Sequence, residues 1–289
     1  MASDTLPVLV VIGGGGIGLA TAHRLGAGRH ILLASRSAPT LSAGAESLEG
    51  AGHTVTTRQV DVSSYDSVAG LARAAAGLGG AIEAVVLTSA VSPTTASAEA
   101  VLAVDLLGTA NVIEAFAAEV EMPPGSSVVC IGSMAVYMVP PFSESLEAHL
   151  ATAPLSSLLS SGELRDLVGG AGGMAYCVAK KANALRVEAA AASERFAGRG
   201  VRVNCVSPGP TQSNMLEKEM EGASGDGVRA MLKANPMKRA ATAEEVAQAV
   251  AFVVECGYVN GVNLLIDGGW VAARKWGAKV NGGKAADGN

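Results

Sequence analysis

Pro7-Val8-Leu9-Val10-Val11-Ile12-Gly13-Gly14-Gly15-Gly16-Ile17-Gly18-Leu19-Ala20-Thr21-Ala22-His23-Arg24-Leu25 decides the fold of this 289-residue chain. The first six residues are apolar and mostly β-branched, as a strand buried on both faces requires. The last seven have helical composition. Strand, glycine turn and helix in immediate succession are the context that gives a G-x-G-x-x-G spacing meaning. Bare backbone N–H groups at Gly13, Gly15, Gly16, Ile17 and Gly18, with the positive end of the following helix, form an anion site suited to a pyrophosphate. The plainer reading is a tight turn between strand and helix. Four consecutive glycines exceed what a turn needs, which favours dinucleotide binding.

The next apolar strand, His30-Ile31-Leu32-Leu33-Ala34, runs into Ser35-Arg36-Ser37. A carboxylate here would hold the ribose hydroxyls of NAD, whereas an arginine meets a 2′-phosphate. Ser35 stands where the acid would be and Arg36 follows it, so NADP(H) is favoured, with NAD(H) the alternative. Asp61 follows the third strand, Thr54 to Val60, and is placed to reach an adenine edge. Ser133 lies just past the strand Ser127-Val128-Val129-Cys130-Ile131, at the edge where open α/β sheets bind ligands; its hydroxyl can orient a substrate oxygen. Tyr176 and Lys180 fall four apart in an alanine-rich helical stretch, so both side chains leave one face. A phenol titrates near ~10, and bringing it to about 7 takes ~4 kcal/mol. One ammonium ~4 Å away supplies roughly that at an effective dielectric of about 20, poising the pair for proton exchange with an alcohol.

Strands are expected near 7–12, 30–35, 54–60, 84–88, 127–131, 201–206 and 262–266. The clearest helices are 64–76, 98–119, 174–197 and 243–255. This alternation predicts an α/β, doubly wound Rossmann fold: a seven-stranded parallel sheet with helices on both faces, forming a single Rossmann-type domain over 1–270. An insertion at 136–172 carries Leu146, Leu150, Leu158, Leu159, Leu164 and Leu167, which suggest one or two short amphipathic helices. Residues 210–236 read as a helical flap over the active site, and 271–289 as an extended C-terminal tail without a catalytic part. Hydrophobic residues make up 49% of the chain, in strand-sized runs short of a membrane span, and the net charge of −5 argues against a nucleic-acid partner. No signal peptide is read at the start. Cys130, Cys177, Cys205 and Cys256 are scattered singly and the four histidines form no cluster, so a cytoplasmic protein without a metal is expected.

Taken together, the glycine turn, Asp61-Val62, the strand ending at Ser133, Tyr176-x-x-x-Lys180, Arg202-Val203-Asn204-Cys205-Val206-Ser207-Pro208-Gly209 and Ile266-Asp267-Gly268-Gly269 resemble the short-chain dehydrogenase/reductase family, from about Val8 to Trp270. The long spacing from Ser133 to Tyr176 resembles the branch holding 3α-hydroxysteroid dehydrogenase/carbonyl reductase and coniferyl alcohol dehydrogenase-like enzymes. The resemblance implies an NAD(P)-dependent oxidoreductase that interconverts a carbonyl and a secondary or aromatic alcohol. The alternatives are a weakened NADP-binding sensor or a nucleotide-sugar epimerase or dehydratase. Tyr176 would carry the proton, Ser133 orient the substrate, and Lys180 hold the ribose and bias Tyr176. Ser89, Ala90, Val206, Pro208, Gly209 and Thr211 would line the nicotinamide half. Three departures stand out. The first turn is one residue shorter than usual, the family's Asn-Asn-Ala-Gly is Thr88-Ser89-Ala90-Val91, and its catalytic asparagine is Asp105. The named branch also tends to use NAD, which Arg36 opposes. Apolar residues of the insertion and flap suggest a hydrophobic, steroid-like or aromatic substrate. The insertion is expected to cover helices 98–119 and 174–197, leaving a homodimer through the face at 243–255 and 262–266, which carries Val246, Val250, Val253, Val254, Val262 and Leu264.

Overall fold

The computed structural model describes residues 5–222 and 224–280. These form one parallel sheet of seven strands: β1 (Val8–Ile12), β2 (His30–Ser35), β3 (Thr54–Gln59), β4 (Ile82–Leu87), β5 (Ser127–Ile131), β6 (Arg202–Pro208) and β7 (Asn263–Ile266), in the order β3-β2-β1-β4-β5-β6-β7. Strand order reverses between β1 and β4, and a crevice opens there at the carboxyl ends of the strands. Three helices precede β4 and its loop: α1 (Gly16–Leu25), α2 (Ala38–Gly50) and α3 (Tyr65–Gly77). Then come α4 (Ala98–Val101), α5 (Gly108–Ala118), α6 (Glu144–Thr152), α7 (Gly162–Val168), α8 (Gly172–Ala191), α9 (Asn214–Glu221), α10 (Gly225–Ala234), α11 (Ala243–Glu255) and α12 (Trp270–Val280).

Period-two alternation divides the core into two layers. Val8, Val10 and Ile12 of β1 face α3, α5 and α8, while Leu9 and Val11 face α1, α2 and α11. β3 is an edge strand of polar sequence, TVTTRQ, and is correspondingly exposed. Arg202, at the start of β6, is buried, and its guanidinium donates to the carbonyls of Val253 and Val254 at the end of α11 and to Val259. It thereby ties the last crossover to the sheet by satisfying orphan helix carbonyls.

The expected helix 98–119 is present with a defect. A π-helical segment, Leu102–Leu107, separates α4 from α5 and carries Asp105. The span Ala98–Ala118 is long and apolar enough to cross a membrane by length and composition, which the reading of short apolar runs overlooked. Its apolar side chains here pack into the protein core.

The insertion forms α6 and α7. Of its leucines Leu146, Leu150, Leu158 and Leu164 are buried, while Leu159 and Leu167 are half-buried, and Leu158 and Leu159 lie in the turn between the helices. Leu146, Leu150, Leu158 and Leu164 join Val101, Leu106, Ala110, Val178 and Ala182 in a third apolar cluster over α4 and α8. Arg186 of α8, also buried, donates to the carbonyls of Leu150 and Ala153 at the end of α6. Within the flap region, α9 and α10 pack on each other, with residue 223 between them outside the described set.

Two expectations need correction. The segment after Gly269 is not extended: Trp270–Val280 is helical. The Asp267 carboxylate accepts hydrogen bonds from the Gly269 and Val271 amides, satisfying donors at the helix start. The rest of that tail, 281–289, lies outside the described residues. On the C-terminal face, Val246, Val250 and Val253 are fully buried in the chain's own core and cannot meet a partner. A 3.6-residue valine stripe on a helix covering a sheet points at the sheet first.

Candidate active site

A cavity of about 950 Å³ occupies the crevice between the strand ends and the flap. That lies at the upper end of ordinary ligand sites. The glycine turn forms its floor, and Gly13, Gly15, Gly16 and Gly18 differ in what their missing side chains allow. Gly13 has φ +122°, and a Cβ on it would come within 2.2 Å of the Thr88 hydroxyl oxygen. A Cβ on Gly18 would come within 1.8 Å of the Gly13 carbonyl, so this glycine packs helix against turn and does not line the cavity. Gly15 faces open space, with nothing within 4 Å of an added Cβ, and Gly16 takes φ +36°. This is a bare-backbone cradle at a helix start, the geometry that admits a pyrophosphate. The Thr88 hydroxyl lies within hydrogen-bond reach of the Ile12 and Gly13 carbonyls, 3.3 and 3.2 Å away.

At one end of the cavity, Ser35, Arg36, Ser37 and Thr40 surround the start of α2. Ser37 caps that helix by accepting from the Thr40 amide. Among the described residues, no ion pair engages the exposed Arg36. Asp61 and Val62 line the wall beside it, and the Asp61 carboxylate accepts from the Ser63 amide and hydroxyl. Ser89, Ala90, Pro208, Gly209 and Thr211 also line the cavity. Val206 does not: it is fully buried within the sheet.

The chemical end holds Ser133, Tyr176 and Lys180 together. Ser133 is fixed in extended conformation at the start of a 3-10 turn, Met134–Tyr137. The Lys180 ammonium is buried, lies 5.3 Å from the Tyr176 ring centroid, and donates to the Ile131 carbonyl at 3.3 Å. Burial raises the Tyr176 phenol above its ordinary value. Lys180 pulls it down, Asp105 pushes it up, a hydrogen bond with Ser133 lowers it, and Glu219 raises it again. The expected drop toward neutrality is therefore not what the protein alone produces, because burial and two carboxylates outweigh one ammonium over the ring. Burial by itself would depress Lys180; Asp105 and Tyr176 reverse this and hold it fully cationic.

Asp105 does not line the cavity but lies behind Lys180, 1% exposed. One carboxylate oxygen accepts from the Val91 amide at 2.9 Å, and the other stands 3.8 Å from the Lys180 ammonium. Burial raises the Asp105 carboxyl above the usual carboxylate range, with Lys180 and the Val91 amide opposing. Its backbone carbonyl accepts from Asn183 and Thr109. Sequence reasoning missed Asn183, although it lies one turn beyond Lys180 on the same helix face. It also missed Glu219, which faces the cavity from α9 and accepts from the Ser92 hydroxyl. No local pattern marks Glu219, because the flap helix reaches that loop only in the folded chain.

A glycine cradle at the sheet's switch point, with a phenol, a hydroxyl and an ammonium at its far end, defines a dinucleotide-dependent oxidoreductase. Comparison with known proteins narrows this. Residues 7–144 match the short chain dehydrogenase family, and residues 144–271 the family described as enoyl-(acyl carrier protein) reductase. The chain is 35% identical to a short-chain dehydrogenase/reductase of Alternaria brassicicola, bsc3, over 91% of this chain and 95% of that one. It is 28% identical to the 3-alpha-hydroxysteroid dehydrogenase/carbonyl reductase of Comamonas testosteroni, over 65% and 72%. A short chain dehydrogenase of Burkholderia cenocepacia, solved in complex with NADP, shares the fold with a TM-score of 0.68 at 24% identity, over 91% of this chain and 97% of that one. The protein belongs to the short-chain dehydrogenase/reductase family and is an oxidoreductase acting on CH–OH groups of a small molecule.

Proposed function

We propose that the protein is an NADP(H)-dependent carbonyl reductase or alcohol dehydrogenase for an apolar carbonyl compound of steroid-like or aromatic size. The observation that carries this reading is the joint placement of Ser133, Tyr176 and Lys180 at one end of a cavity whose other end holds Arg36. A nicotinamide held in this cavity would supply or accept a hydride. In reduction Tyr176 gives its hydroxyl proton to the substrate oxygen, Ser133 holds that oxygen by a hydrogen bond, and Lys180 offers its ammonium to the ribose hydroxyls while steadying the phenolate that remains. Arg36, with the Ser35, Ser37 and Thr40 hydroxyls, takes the 2′-phosphate. Met134, Met138, Met215, Leu216, Val228 and Met231 make the substrate half apolar, which supports the size and class assigned. Similarity to a hydroxysteroid dehydrogenase/carbonyl reductase supports the same choice.

The assembly we propose is a homodimer through the C-terminal face. The insertion covers α4 and α8, and Phe252 and Tyr258 stand 51% and 101% exposed on the opposite side.

Incubation with NADPH and a panel of ketones and aldehydes tests the activity directly. Loss of NADPH absorbance is expected with apolar cyclic or aromatic carbonyls, and Tyr176→Phe should lower turnover ~10³-fold or more while leaving NADPH affinity little changed. Near-normal turnover in that variant would overturn the assigned role.

A further inference from the structure

Asp105 is a buried carboxylate at the site, yet it touches neither the cavity nor, by hydrogen bond, Lys180. Its inner oxygen accepts from the Val91 amide, which fixes the carboxyl group. The outer oxygen makes no hydrogen bond and is 3.8 Å from the Lys180 ammonium, itself 97% screened from solvent along its side chain. The π segment that carries Asp105 is held to α8 by the Asn183 amide on the Asp105 carbonyl. The carboxyl group is therefore built into the back of the site by its contacts with Val91, Lys180 and Asn183, and the Lys180 ammonium and Val91 amide favour its ionised form against burial.

We infer that Asp105 is a positioning residue for the acid–base step: its carboxylate takes up part of the field of Lys180 and so keeps Tyr176 in the protonated, proton-donating form that carbonyl reduction uses. This rests on Tyr176 being the acid–base group. The charged and titratable groups bearing on Tyr176 are few. Lys180 favours the phenolate, and Asp105 and, more weakly, Glu219 of the flap oppose it. Behind Lys180 lie the thiols of Cys130 and Cys205 on neighbouring strands. Burial pushes Cys130 far up and Cys205 up to about 11, so both are neutral near pH 7. Burial of the phenol is the largest influence that opposes Lys180, and Asp105 is the principal charge that does so. Its consequence is directional: the protein holds a proton donor ready across neutral and mildly alkaline pH, where an unopposed lysine would favour the deprotonated form that alcohol oxidation requires.

The sign of the effect is fixed. Removing the Asp105 charge leaves only burial and Glu219 to oppose Lys180 and lowers the pH at which Tyr176 ionises. In Asp105→Asn the alkaline limb of the reduction profile should then move to lower pH by about one unit, and the rising limb of the oxidation profile should move the same way. A purely structural role would lower rates without moving either limb. A second readout needs no turnover: tyrosinate absorbance titrated in the unloaded protein, with Tyr176→Phe subtracted to remove Tyr65, Tyr137 and Tyr258. The midpoint so isolated should fall by about the same amount in Asp105→Asn. Should that variant not fold, Asp105→Ser removes the same charge with a smaller side chain. The unaltered protein also gives its own test, since Tyr176 must remain protonated well above pH 8. A midpoint near neutrality in the unaltered protein, or one that neither variant moves, overturns the inference. Loss of all activity in Tyr176→Phe with an unmoved midpoint would leave the catalytic assignment standing and this one refuted.

Discussion

At the scale of single residues, two cations at the site do different work because their surroundings differ. Arg36 is exposed and in no ion pair among the described residues, so its guanidinium is available for a bidentate, charge-assisted contact with a phosphate. Such a contact is worth roughly 1.5–3 kcal/mol, or about 10- to 150-fold in affinity. Arg36→Ala should accordingly weaken NADPH binding by that factor and NADH binding far less, as read by titration of each cofactor. Equal affinity for both cofactors in the unaltered protein would contradict the NADP preference. Lys180 is buried and already paired with Asp105. Removing one member of such a buried pair typically costs about 3–5 kcal/mol. Variants at Lys180 therefore report on folding as well as chemistry, and its role is better read through Tyr176.

Among the elements, the insertion shows how a family fold gains a new surface. α6 and α7 are each too short to be stable alone, and their leucines supply the stability by packing onto α4 and α8. Arg186 then takes the last carbonyls of α6, joining the insertion to the helix that carries Tyr176 and Lys180. Leu150, fully buried in that cluster, tests the arrangement. Leu150→Ala should lower stability by about 2–5 kcal/mol in a denaturant titration, the range for deleting a packed leucine. A loss below about 1 kcal/mol would mean that α6 is not seated on α8 as described.

For the whole molecule, the same insertion bears on assembly. With the α4 and α8 surface occupied, a partner must find another face. The C-terminal side offers Phe252, Tyr258 and the partly exposed Val254, Val262 and Leu264, not the three valines that turn inward. A two-fold dimer through this patch should show about twice the chain mass in solution, and Phe252→Glu should reduce it to the monomer mass. A tetramer whose subunits meet through α4, α5 and α8 would show the reading wrong.

All seven strands could be read from the chain, because a buried parallel strand and a helix over it impose apolar patterns that local composition carries. The helices were read less closely, since that expected at 174–197 ends at Ala191 and that at 98–119 is interrupted by the π segment. The glycine turn, Arg36, Ser133, Tyr176 and Lys180 were legible for a related reason: each sits at a strand end or a fixed helical spacing, so sequence position nearly fixes spatial position. Helix α12 was misread because its start depends on Asp267 reaching forward to two amides, a contact that composition does not record. Val206 was assigned to the site from its neighbours, yet the pleat turns it into the core while Gly209 and Thr211 meet the cavity. What only the tertiary structure decided was the electrical balance at Tyr176. Lys180 is on its own helix, but Asp105 comes from a π turn 71 positions earlier and Glu219 from a flap 43 positions later. Electrostatic energy depends on distance and burial, which are set by packing between elements and not by position along the chain.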